Sequence, residues 1–285
     1  MTTSTKNHPS TPGTRPEGTR DEREAAARVQ RMFGRIAARY DFLNHLLSFS
    51  LDRLWRRRTA RRFERVLRRT NARILDLCCG TGDLTFALEH IRLKVLRDSG
   101  AHRMSLVGCD FVQPMIERAY KKARHGKHPA VFVTSDALQL PFPDDCFDLV
   151  TTAFGFRNLA NYESGLLEIA RVLKDGGRVG ILEFSEPVGP MAGLFHFYFR
   201  QVLPRVGGAI SGSREAYTYL PGSVKKFPSP EELTALMERA GFTHVRVSSW
   251  NFGSVLLHSA RIPKQTSGTE ALPVENEAAD ESREA

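Results

Sequence analysis

From residue 72 onward, short apolar runs rich in β-branched and aromatic residues alternate with stretches in which apolar residues recur at helical spacing. The apolar runs lie at 73–77, 105–110, 130–136, 147–154 and 177–184, and the helical stretches lie near 83–92, 113–124, 162–173 and 230–241. Strands that alternate with helices are usually joined by right-handed crossovers. The pattern therefore predicts an α/β fold with a parallel, doubly wound sheet.

The last two apolar runs, 242–250 and 254–260, break this alternation. Only residues 251–253 separate them, which is too short for a helical crossover. We therefore expect these two strands to pair antiparallel, as a C-terminal hairpin. Together with the earlier runs they complete a mostly parallel, seven-stranded sheet.

The two ends of the chain differ in composition from the alternating region. Residues 1–24 are rich in Thr, Pro, Ser and Gly, and residues 264–285 carry six acidic against two basic residues. We predict disordered tails at 1–24 and 263–285, and one globular domain at 25–262. The first part of this domain, about 25–70, is predicted to be a helical lid.

Composition narrows the class of protein. The chain has 285 residues, 41% hydrophobic, and a net charge of +9; because residues 264–285 contribute −4, the rest carries +13. No run approaches the roughly 18 apolar residues that span a bilayer, and the N-terminus lacks the apolar middle of a secretion signal, so we expect a cytoplasmic protein. The four cysteines lack paired zinc spacing, which predicts reduced structural thiols and no metal site.

The positive charge is concentrated in residues 53–69, which hold nine arginines and a single acid, Glu64. The apolar residues that fall near one side of a helix here are Leu54, Trp55, Phe63, Val66 and Leu67. The stretch is predicted to be a basic amphipathic helix, with a solvated face, anionic lipid or nucleic acid as the open interpretations. Because the chain lacks the aromatic–glycine signatures of common RNA-binding modules, we expect no nucleic-acid partner.

The stretch ILDLCCGTGDLTFAL, residues 74–88, leads from an apolar strand through a small-residue turn into a helix. Gly80 and Gly82 permit a tight bend and a close approach of the backbone to a ligand. A dinucleotide site would have a third small residue where this chain has Thr85, and Asp76 places negative charge beside the turn. These features favour a cationic ligand, S-adenosylmethionine. A strand-to-helix turn without a ligand is the alternative.

Two further acids stand at the ends of predicted strands. Asp110 ends the second strand, where a carboxylate can accept hydrogen bonds from both ribose hydroxyls. Asp136 ends the third strand, where it can meet the adenine amino group. Each acid alone is also compatible with a helix cap or a loop. Three acids at successive strand ends, counting Asp76, favour a nucleoside site.

Five segments of the chain together resemble the ubiquinone/menaquinone C-methyltransferase family. They are residues 32–58, 74–85, 137–159, 171–187 and 217–242, and the resemblance covers roughly residues 30–260. The glycine-rich turn and the LKDGG sequence are common to many methyltransferases. The sequences ARYDFLNHLLSFSLDRLWRR and FGFRN are much more specific to this family.

The resemblance implies a Rossmann-like class I methyltransferase fold, to which a C-terminal antiparallel hairpin conforms. It also implies S-adenosyl-L-methionine as the cofactor and a membrane-embedded polyprenyl quinol precursor as the acceptor. The family's cofactor contacts fall on Thr81, Asp110, Asp136 and Ala137. Ala153 stands where the family often has Ser. Tyr40 lies in the predicted lid, and we assign it to the cofactor site, where it could close over the donor; a packed Tyr is the alternative.

Methyl transfer to carbon requires an electron-rich ring, which a neighbouring phenolate supplies best, so the acceptor must be the reduced quinol. The FGFRN sequence, residues 154–158, follows the fourth strand, at the sheet edge where an acceptor would meet the methyl group. We assign Arg157 as the oxyanion partner, alone or with a bound water as proton acceptor, and Asn158 as an orienting residue. An Arg that only caps the strand end is the alternative.

Residues 191–200, MAGLFHFYFR, are apolar and aromatic. They suit either a channel for a quinone tail or a helix packed on the core, and we expect the core because aromatic stripes more often pack than bind. His196 within this segment is either a quinol contact or a satisfied core residue.

The resemblance implies that demethylmenaquinol is converted to menaquinol, with a ubiquinone precursor as a second substrate to consider. Two other functions stay open. One is a methyltransferase that acts on another lipid or on RNA, and the other is a noncatalytic scaffold that binds S-adenosylmethionine. We also expect peripheral association with a membrane surface through residues 53–69, and either a homodimer or a quinone-synthesis complex.

Overall fold

The computed structural model describes residues 13–96, 106–187, 189, 192–202, 205 and 214–264. Seven strands form one sheet: β1 Ile74–Leu77, β2 Leu106–Asp110, β3 Val131–Thr134, β4 Phe147–Ala153, β5 Leu173–Phe184, β6 Thr243–Trp250 and β7 Val255–Arg261. Their order is β3-β2-β1-β4-β5-β7-β6. The first five strands pair parallel, and β7 pairs antiparallel with both β5 and β6. The predicted α/β sheet with a C-terminal hairpin is confirmed.

Ten α-helices accompany the sheet in the described part of the chain. They are α1 Glu22–Ile36, α2 Tyr40–Leu47, α3 Leu51–Arg62, α4 Glu64–Leu67, α5 Asp83–Leu96, α6 Gln113–Gly126, α7 Tyr162–Val172, α8 Ala192–Phe197, α9 Arg214–Lys226 and α10 Pro230–Arg239. Side-chain caps begin three of them: Asp21 caps α1, Asn161 caps α7, and Ser229 and Glu232 form a capping box at α10.

The core lies on both faces of the sheet, as a doubly wound fold requires. One cluster joins β4 and β5 to α7 and α10 and includes Phe147, Tyr162 and Leu233. The other joins β1 and β2 to the helices α3 to α6 and includes Phe63 and Leu88. The strand order reverses between β1 and β4, and a crevice opens there at the carboxyl ends of the strands. This crevice is where the sequence places its candidate site.

The N-terminal boundary differs from the prediction. Residues 13–21, which we expected to belong to a disordered tail, are described and packed on the domain. The backbone N–H groups of Gly13 and Thr14 donate to the carbonyls of Ala160 and Leu159, at 3.1 and 2.7 Å. The Thr14 hydroxyl also lies 2.9 Å from the hydroxyl of Tyr219. The predicted tail therefore holds a structured segment from residue 13, while residues 1–12 and 265–285 lie outside the described residues.

The arginine-rich stretch forms two helices rather than the single helix we predicted. The first, α3, ends at Arg62, and Phe63 lies between it and α4. Trp55 and Phe63 face the core as predicted, but Leu54 is 40% exposed and Arg56 is only 6% exposed. The inward stripe therefore includes one arginine and leaves out one leucine. In the described chain, none of the helices has both the length and the apolar character of a membrane span.

Candidate active site

The glycine-rich turn after β1 takes three residues into the left-handed region. They are Cys78, Gly80 and Gly82, with φ of 52°, 56° and 90°. A side chain at Gly82 would lie within 3.1 Å of the Phe132 ring, so only glycine fits there. The Gly80 N–H donates to Asp110 Oδ2 at 2.9 Å, which ties the turn to the end of β2. The backbone of the turn is therefore fixed at the crevice.

The two cysteines of the turn are free thiols, as are the other two cysteines. A glycine opposite each of the two turn cysteines, Cys78 and Cys79, leaves room for its side chain. A side chain at Gly155 would lie 2.4 Å from Cys78 Cβ, and one at Gly108 would lie 3.1 Å from Cys79 Sγ. Burial raises the pKa of Cys78 and of Cys79 well above the ordinary value. These thiols are protonated structural groups rather than nucleophiles.

Asp76 lies beneath the turn and is completely buried. Its carboxylate accepts hydrogen bonds from the hydroxyls of Thr85 at 2.6 Å and Thr151 at 3.2 Å. Burial raises its pKa to about 7, although both hydroxyls favour the ionised form. Asp76 lines the crevice as predicted, but its oxygens are already bonded within the protein. Its charge is only partly present near neutral pH and acts on the crevice mainly through space.

Asp110 stands at the end of β2 and is 8% exposed. One carboxylate oxygen accepts from the Gly80 N–H and the other from the Val112 N–H, both at 2.9 Å. Each oxygen keeps a further lone pair for a ligand hydroxyl. Burial raises the pKa of Asp110 to about 6, so the group is mostly ionised at neutral pH. Asp110 thus holds the turn in place, a structural role that the sequence did not reveal.

The remaining predicted cofactor residues surround the same crevice. Asp136 is exposed and accepts from the Leu138 N–H at 2.9 Å, whereas Ala137 is buried. Ala153, the residue in place of the usual Ser, lines the crevice and offers no hydroxyl. The crevice holds about 950 Å³ of space, open solvent included. Four carboxylates that suit a cationic nucleoside line it, namely those of Asp76, Asp83, Asp110 and Asp136.

Thr81 belongs to a polar network that fastens α2 to the turn. Its hydroxyl donates to Asp41 of α2 and accepts from Lys122 Nζ at 3.0 Å. Lys122 also pairs with Asp41 at 2.9 Å and with Asp83 at 2.7 Å. Sequence reasoning missed Lys122, because nothing in the polar face of α6 distinguishes it from its neighbours. The network places α2 directly over the cofactor crevice.

A second cavity, mostly apolar, adjoins the first. It holds about 1730 Å³ of space including its open mouth, and its walls come from α1 to α3, the ends of β4 and β5, α8, α9 and the turn after β6. Phe33, Tyr40, Arg56 and Phe154 line both cavities. The two cavities therefore meet at a common wall, and we refer to the second one as the acceptor cavity.

Arg157 lies in this second cavity and is 5% exposed. Its Nη1 donates to Glu183 Oε2 at 2.7 Å and to the Phe154 carbonyl at 2.6 Å, and its backbone N–H donates to Glu183 Oε1 at 3.1 Å. Within the described chain, Nε and Nη2 have no hydrogen-bond partner, and Nε is buried. These two nitrogens form one edge of the planar guanidinium. Arg157 therefore offers a free two-donor edge at the acceptor cavity.

Asn158 and Tyr40 occupy different places. The Asn158 side chain lines the cofactor crevice, and its Oδ1 accepts from the Tyr219 hydroxyl at 3.0 Å. Asn158 therefore lines the cofactor crevice rather than the acceptor cavity. Tyr40 lies in the common wall, and burial raises the pKa of its phenol even though Arg56 and Arg157 both lie near enough to lower it. Tyr40 is accordingly a neutral hydroxyl between the two sites.

The aromatic segment 191–200 contributes both to the packing of the core and to the wall of a cavity. Phe195 and Tyr198 pack on an apolar cluster that includes Met32 and Ile36, and they also line the acceptor cavity. His196 is only partly buried, 4.0 Å from Glu186, and does not line the acceptor cavity. The expected packing is thus confirmed for these two aromatic residues, although the same rings form a cavity wall.

The comparisons with known proteins agree with this geometry. The profile of the ubiE/COQ5 methyltransferase family matches residues 20–261. A demethylmenaquinone methyltransferase from Thermus thermophilus is 48% identical over 80% of this chain and 98% of its own length. One from Deinococcus radiodurans is 45% identical over 82% of this chain and 92% of its own length.

A ubiquinone/menaquinone biosynthesis C-methyltransferase from a Geobacter species is 41% identical over 78% of this chain and 91% of its own length. Among solved structures, a SAM-dependent methyltransferase from Thermotoga maritima superposes with a TM-score of 0.56 at 17% identity, covering 81% of this chain and 98% of the other, which supports the fold. The chain belongs to the ubiE/COQ5 methyltransferase family and uses S-adenosyl-L-methionine as its methyl donor.

Proposed function

We propose that this protein transfers the methyl group of S-adenosylmethionine to a ring carbon of a polyprenyl quinol, with demethylmenaquinol as the substrate and menaquinol as the product. The observation that carries this proposal is the pair of adjoining cavities. One is lined by carboxylates and suits the donor, and the other is apolar and suits an aromatic ring with an isoprenoid tail. They share the wall that holds Tyr40, Arg56 and Phe154.

The bound donor supplies an electrophilic methyl group. The new bond joins that methyl to the ring carbon, and the sulfur keeps the electron pair of the broken bond. The ring carbon then passes its proton to water, which restores the aromatic ring. The protein's part is to make the ring carbon nucleophilic, which an adjacent phenolate does. The free edge of Arg157 can donate two parallel hydrogen bonds to that oxygen inside an apolar cavity, where such donors stabilise charge strongly.

Glu183 supports this role of Arg157. It is 1% exposed and binds both the backbone N–H and Nη1 of Arg157. The Arg157 guanidinium also lies over the Phe184 ring, 5.6 Å from its centre. These contacts hold Arg157 in one rotamer, so the donor edge is aimed before the acceptor arrives. A positioned guanidinium needs no rearrangement as negative charge develops.

Peripheral association with a membrane is part of the same proposal. A polyprenyl tail is insoluble in water, so the acceptor reaches the protein from a bilayer. The outer face of α3 and α4 is basic, since all nine arginines of residues 53–69 except Arg56 are exposed. Of these, Arg68 pairs with Glu64 and Arg69 with Asp148, and the others have no acidic partner in the described chain. Such a face suits anionic lipid.

The decisive experiment is methyl transfer by the purified protein to demethylmenaquinol that is kept reduced, followed by mass spectrometry of the quinone. The reduced substrate should gain one methyl group, and the oxidised quinone, whose ring is electron-poor, should gain none. Equal transfer to both forms would contradict the phenolate mechanism. If the protein methylates a benzoquinol precursor or another lipid but not demethylmenaquinol, that compound would be assigned as the substrate instead. If the protein binds the donor but methylates none of these compounds, the noncatalytic scaffold would be the remaining function.

A further inference from the structure

Among the charged side chains that line the cofactor crevice, acidic groups outnumber basic ones. Among the described lining residues there are four aspartates and a single cation, Arg56. S-adenosylmethionine brings three charged groups, which are a sulfonium, an ammonium and a carboxylate. The aspartates suit the two positive groups and the nucleoside hydroxyls. The donor's carboxylate needs a cationic partner, because an unpaired buried charge is costly.

Arg56 is built into the protein as a buried guanidinium. It projects from α3 and is 6% exposed. Its Nη1 pairs with Asp52, and Asp52 accepts hydrogen bonds from the Ser48 hydroxyl at 2.8 Å and lies 2.8 Å from His45 Nδ1. The guanidinium also lies over the Phe154 ring, with its carbon 5.4 Å from the ring centre. Its orientation is therefore fixed from two sides.

The other edge of Arg56 is unused. No hydrogen bond of Nε or Nη2 is present in the described chain, although the residue lines both cavities. Its charge acts on the donor side. Burial alone would raise the pKa of Asp83, yet Arg56 and Lys122 hold that pKa below its ordinary value. Lys122 itself does not line the crevice, so Arg56 is the cation that a ligand would meet.

The direction of the donor follows from the strand ends. Asp110 and Asp136, at the ends of β2 and β3, suit the ribose and the adenine. The amino-acid end of the donor then points away from β3, across the glycine turn toward the side of the crevice where Arg56 lies. We propose that the Nε–Nη2 edge of Arg56 binds the α-carboxylate of S-adenosylmethionine. Arg56 is thus a donor-binding residue hidden in the arginine-rich stretch.

Arg56 also borders the acceptor cavity, so contact with the quinol is the competing role. Two observations favour the donor. Asp83, whose pKa Arg56 helps to lower, lines only the cofactor crevice, and the acceptor cavity already has the free edge of Arg157. This proposal concerns donor binding alone, so it is tested without any quinol and does not depend on the identity of the acceptor.

The experiment compares two ligands that differ only in the group at issue. S-adenosylmethionine and decarboxylated S-adenosylmethionine are titrated calorimetrically into the intact wild-type protein and into Arg56→Gln, Arg56→Lys and Arg57→Gln. Arg57 is the adjacent, exposed arginine and serves as the matched control. The wild type and Arg57→Gln should prefer the carboxylated ligand by about tenfold or more, as expected for a charge-assisted, two-donor contact.

Arg56→Gln should lose most of this preference, so that the affinity ratio of the two ligands falls to about one to threefold. Arg56→Lys should keep part of it, because the charge remains without the planar edge. The ratio is insensitive to a general loss of folded protein, which weakens both ligands equally. A wild-type ratio in Arg56→Gln would overturn the proposal, and so would a wild type that binds both ligands with equal affinity.

Discussion

At the scale of single residues, the site contains two buried carboxylates, those of Asp76 and Asp110, that are hydrogen-bonded around the glycine turn. Asp110 holds the glycine turn through Gly80 and lines the cofactor crevice. Asp76 is bonded by two threonine hydroxyls beneath the same turn. Both pKa values are raised by burial, to about 6 and about 7. Ionising either group inside the free protein is therefore costly, and a cationic ligand in the crevice would favour the ionised form of both.

Donor affinity should fall as the pH drops through about 6, because Asp110 is then protonated and loses a charge that accepts hydrogen bonds. Asp110→Asn should bind S-adenosylmethionine more weakly at pH 8, by about tenfold or more, and should show a smaller pH dependence. Calorimetry between pH 5 and pH 8 measures both effects. Asp175→Asn, at an exposed acid outside the crevice, is the control. An unchanged affinity for Asp110→Asn would remove the residue from the site.

Asp76 should make the donor-free protein less stable as the pH rises. Its folded-state pKa is raised to about 7, so the folded protein binds more protons than the unfolded chain between about pH 4 and 7. The free energy of unfolding should then decrease across that range. Asp76→Asn lacks this contribution, so its stability relative to the wild type should improve from pH 5 to pH 8. Urea unfolding at these pH values tests the difference, and a pH-independent difference would contradict it.

Arg157→Lys should slow the chemical step by about tenfold or more while donor affinity changes little, because the charge stays but the planar donor edge is lost. Single-turnover rates are required, since slow release of an apolar product would otherwise hide the effect. Donor affinity is the internal control. If Arg157→Lys keeps the wild-type single-turnover rate, another group must stabilise the phenolate oxygen.

At the scale of elements, α3 has two different faces. Its inner face carries Trp55 and Arg56 to the cavities, and its outer face carries exposed arginines. Trp55 Nε1 donates to Asn251 Oδ1 at 2.8 Å and so ties α3 to the turn after β6. The inner face of α3 is therefore anchored to the protein, while its outer face is open to solvent.

The outer face of α3 should bind vesicles that contain anionic lipid, and salt should weaken the binding. Reversing Arg57 and Arg61 to Glu should reduce it strongly, because each arginine near the surface contributes up to about 1 kcal/mol. Reversing Lys121 and Arg124, exposed residues of α6, is the matched control. Vesicle sedimentation at increasing salt provides the measurement. Equal losses in the two double variants would show a general charge effect rather than a docking face.

Sequence reasoning could predict the elements because their signals are local. The alternation of strands and helices, the short 251–253 connection and the glycine turn specify the sheet and the place of the crevice. The burial of Arg56 could not be predicted, since it depends on Asp52 and on the Phe154 ring, and the latter comes from β4's end. The packing of residues 13–21 was missed for the same reason: its partners are carbonyls more than 140 residues away.

At the scale of the whole molecule, the mouth of the acceptor cavity is bordered by two exposed aromatic residues. Phe49 and Phe252 are 77% and 76% exposed and line that cavity, and both have positive φ, 52° and 58°. A bulky residue in the left-handed region costs stability, and such strain is concentrated at functional sites. The structure thus keeps two strained, water-exposed rings at the mouth of the acceptor cavity.

Phe252→Asn should be at least as stable as the wild type, because Asn tolerates the left-handed region. It should nevertheless methylate a long-tailed quinol in vesicles more slowly, about threefold or more, since a ring that can insert beside the tail is lost. A short-tailed, water-soluble quinol should react at the wild-type rate. Phe42→Asn, which changes an exposed ring lining neither cavity, is the control. Equal slowing on both substrates would assign Phe252 to the chemistry instead.

The helix α2 covers both cavities at once. Tyr40 lines the two of them, Asp41 is fastened to the turn by Thr81 and Lys122, and Asn44 and Leu47 face the acceptor side. A movement of α2 that opens one compartment therefore disturbs the other. Exchange of the spent nucleoside with the aqueous phase and return of the methylated quinone to the lipid phase would then share one gate. Movement of this short helix would then control the release of both products, and the slower of the two release steps would limit the rate of turnover.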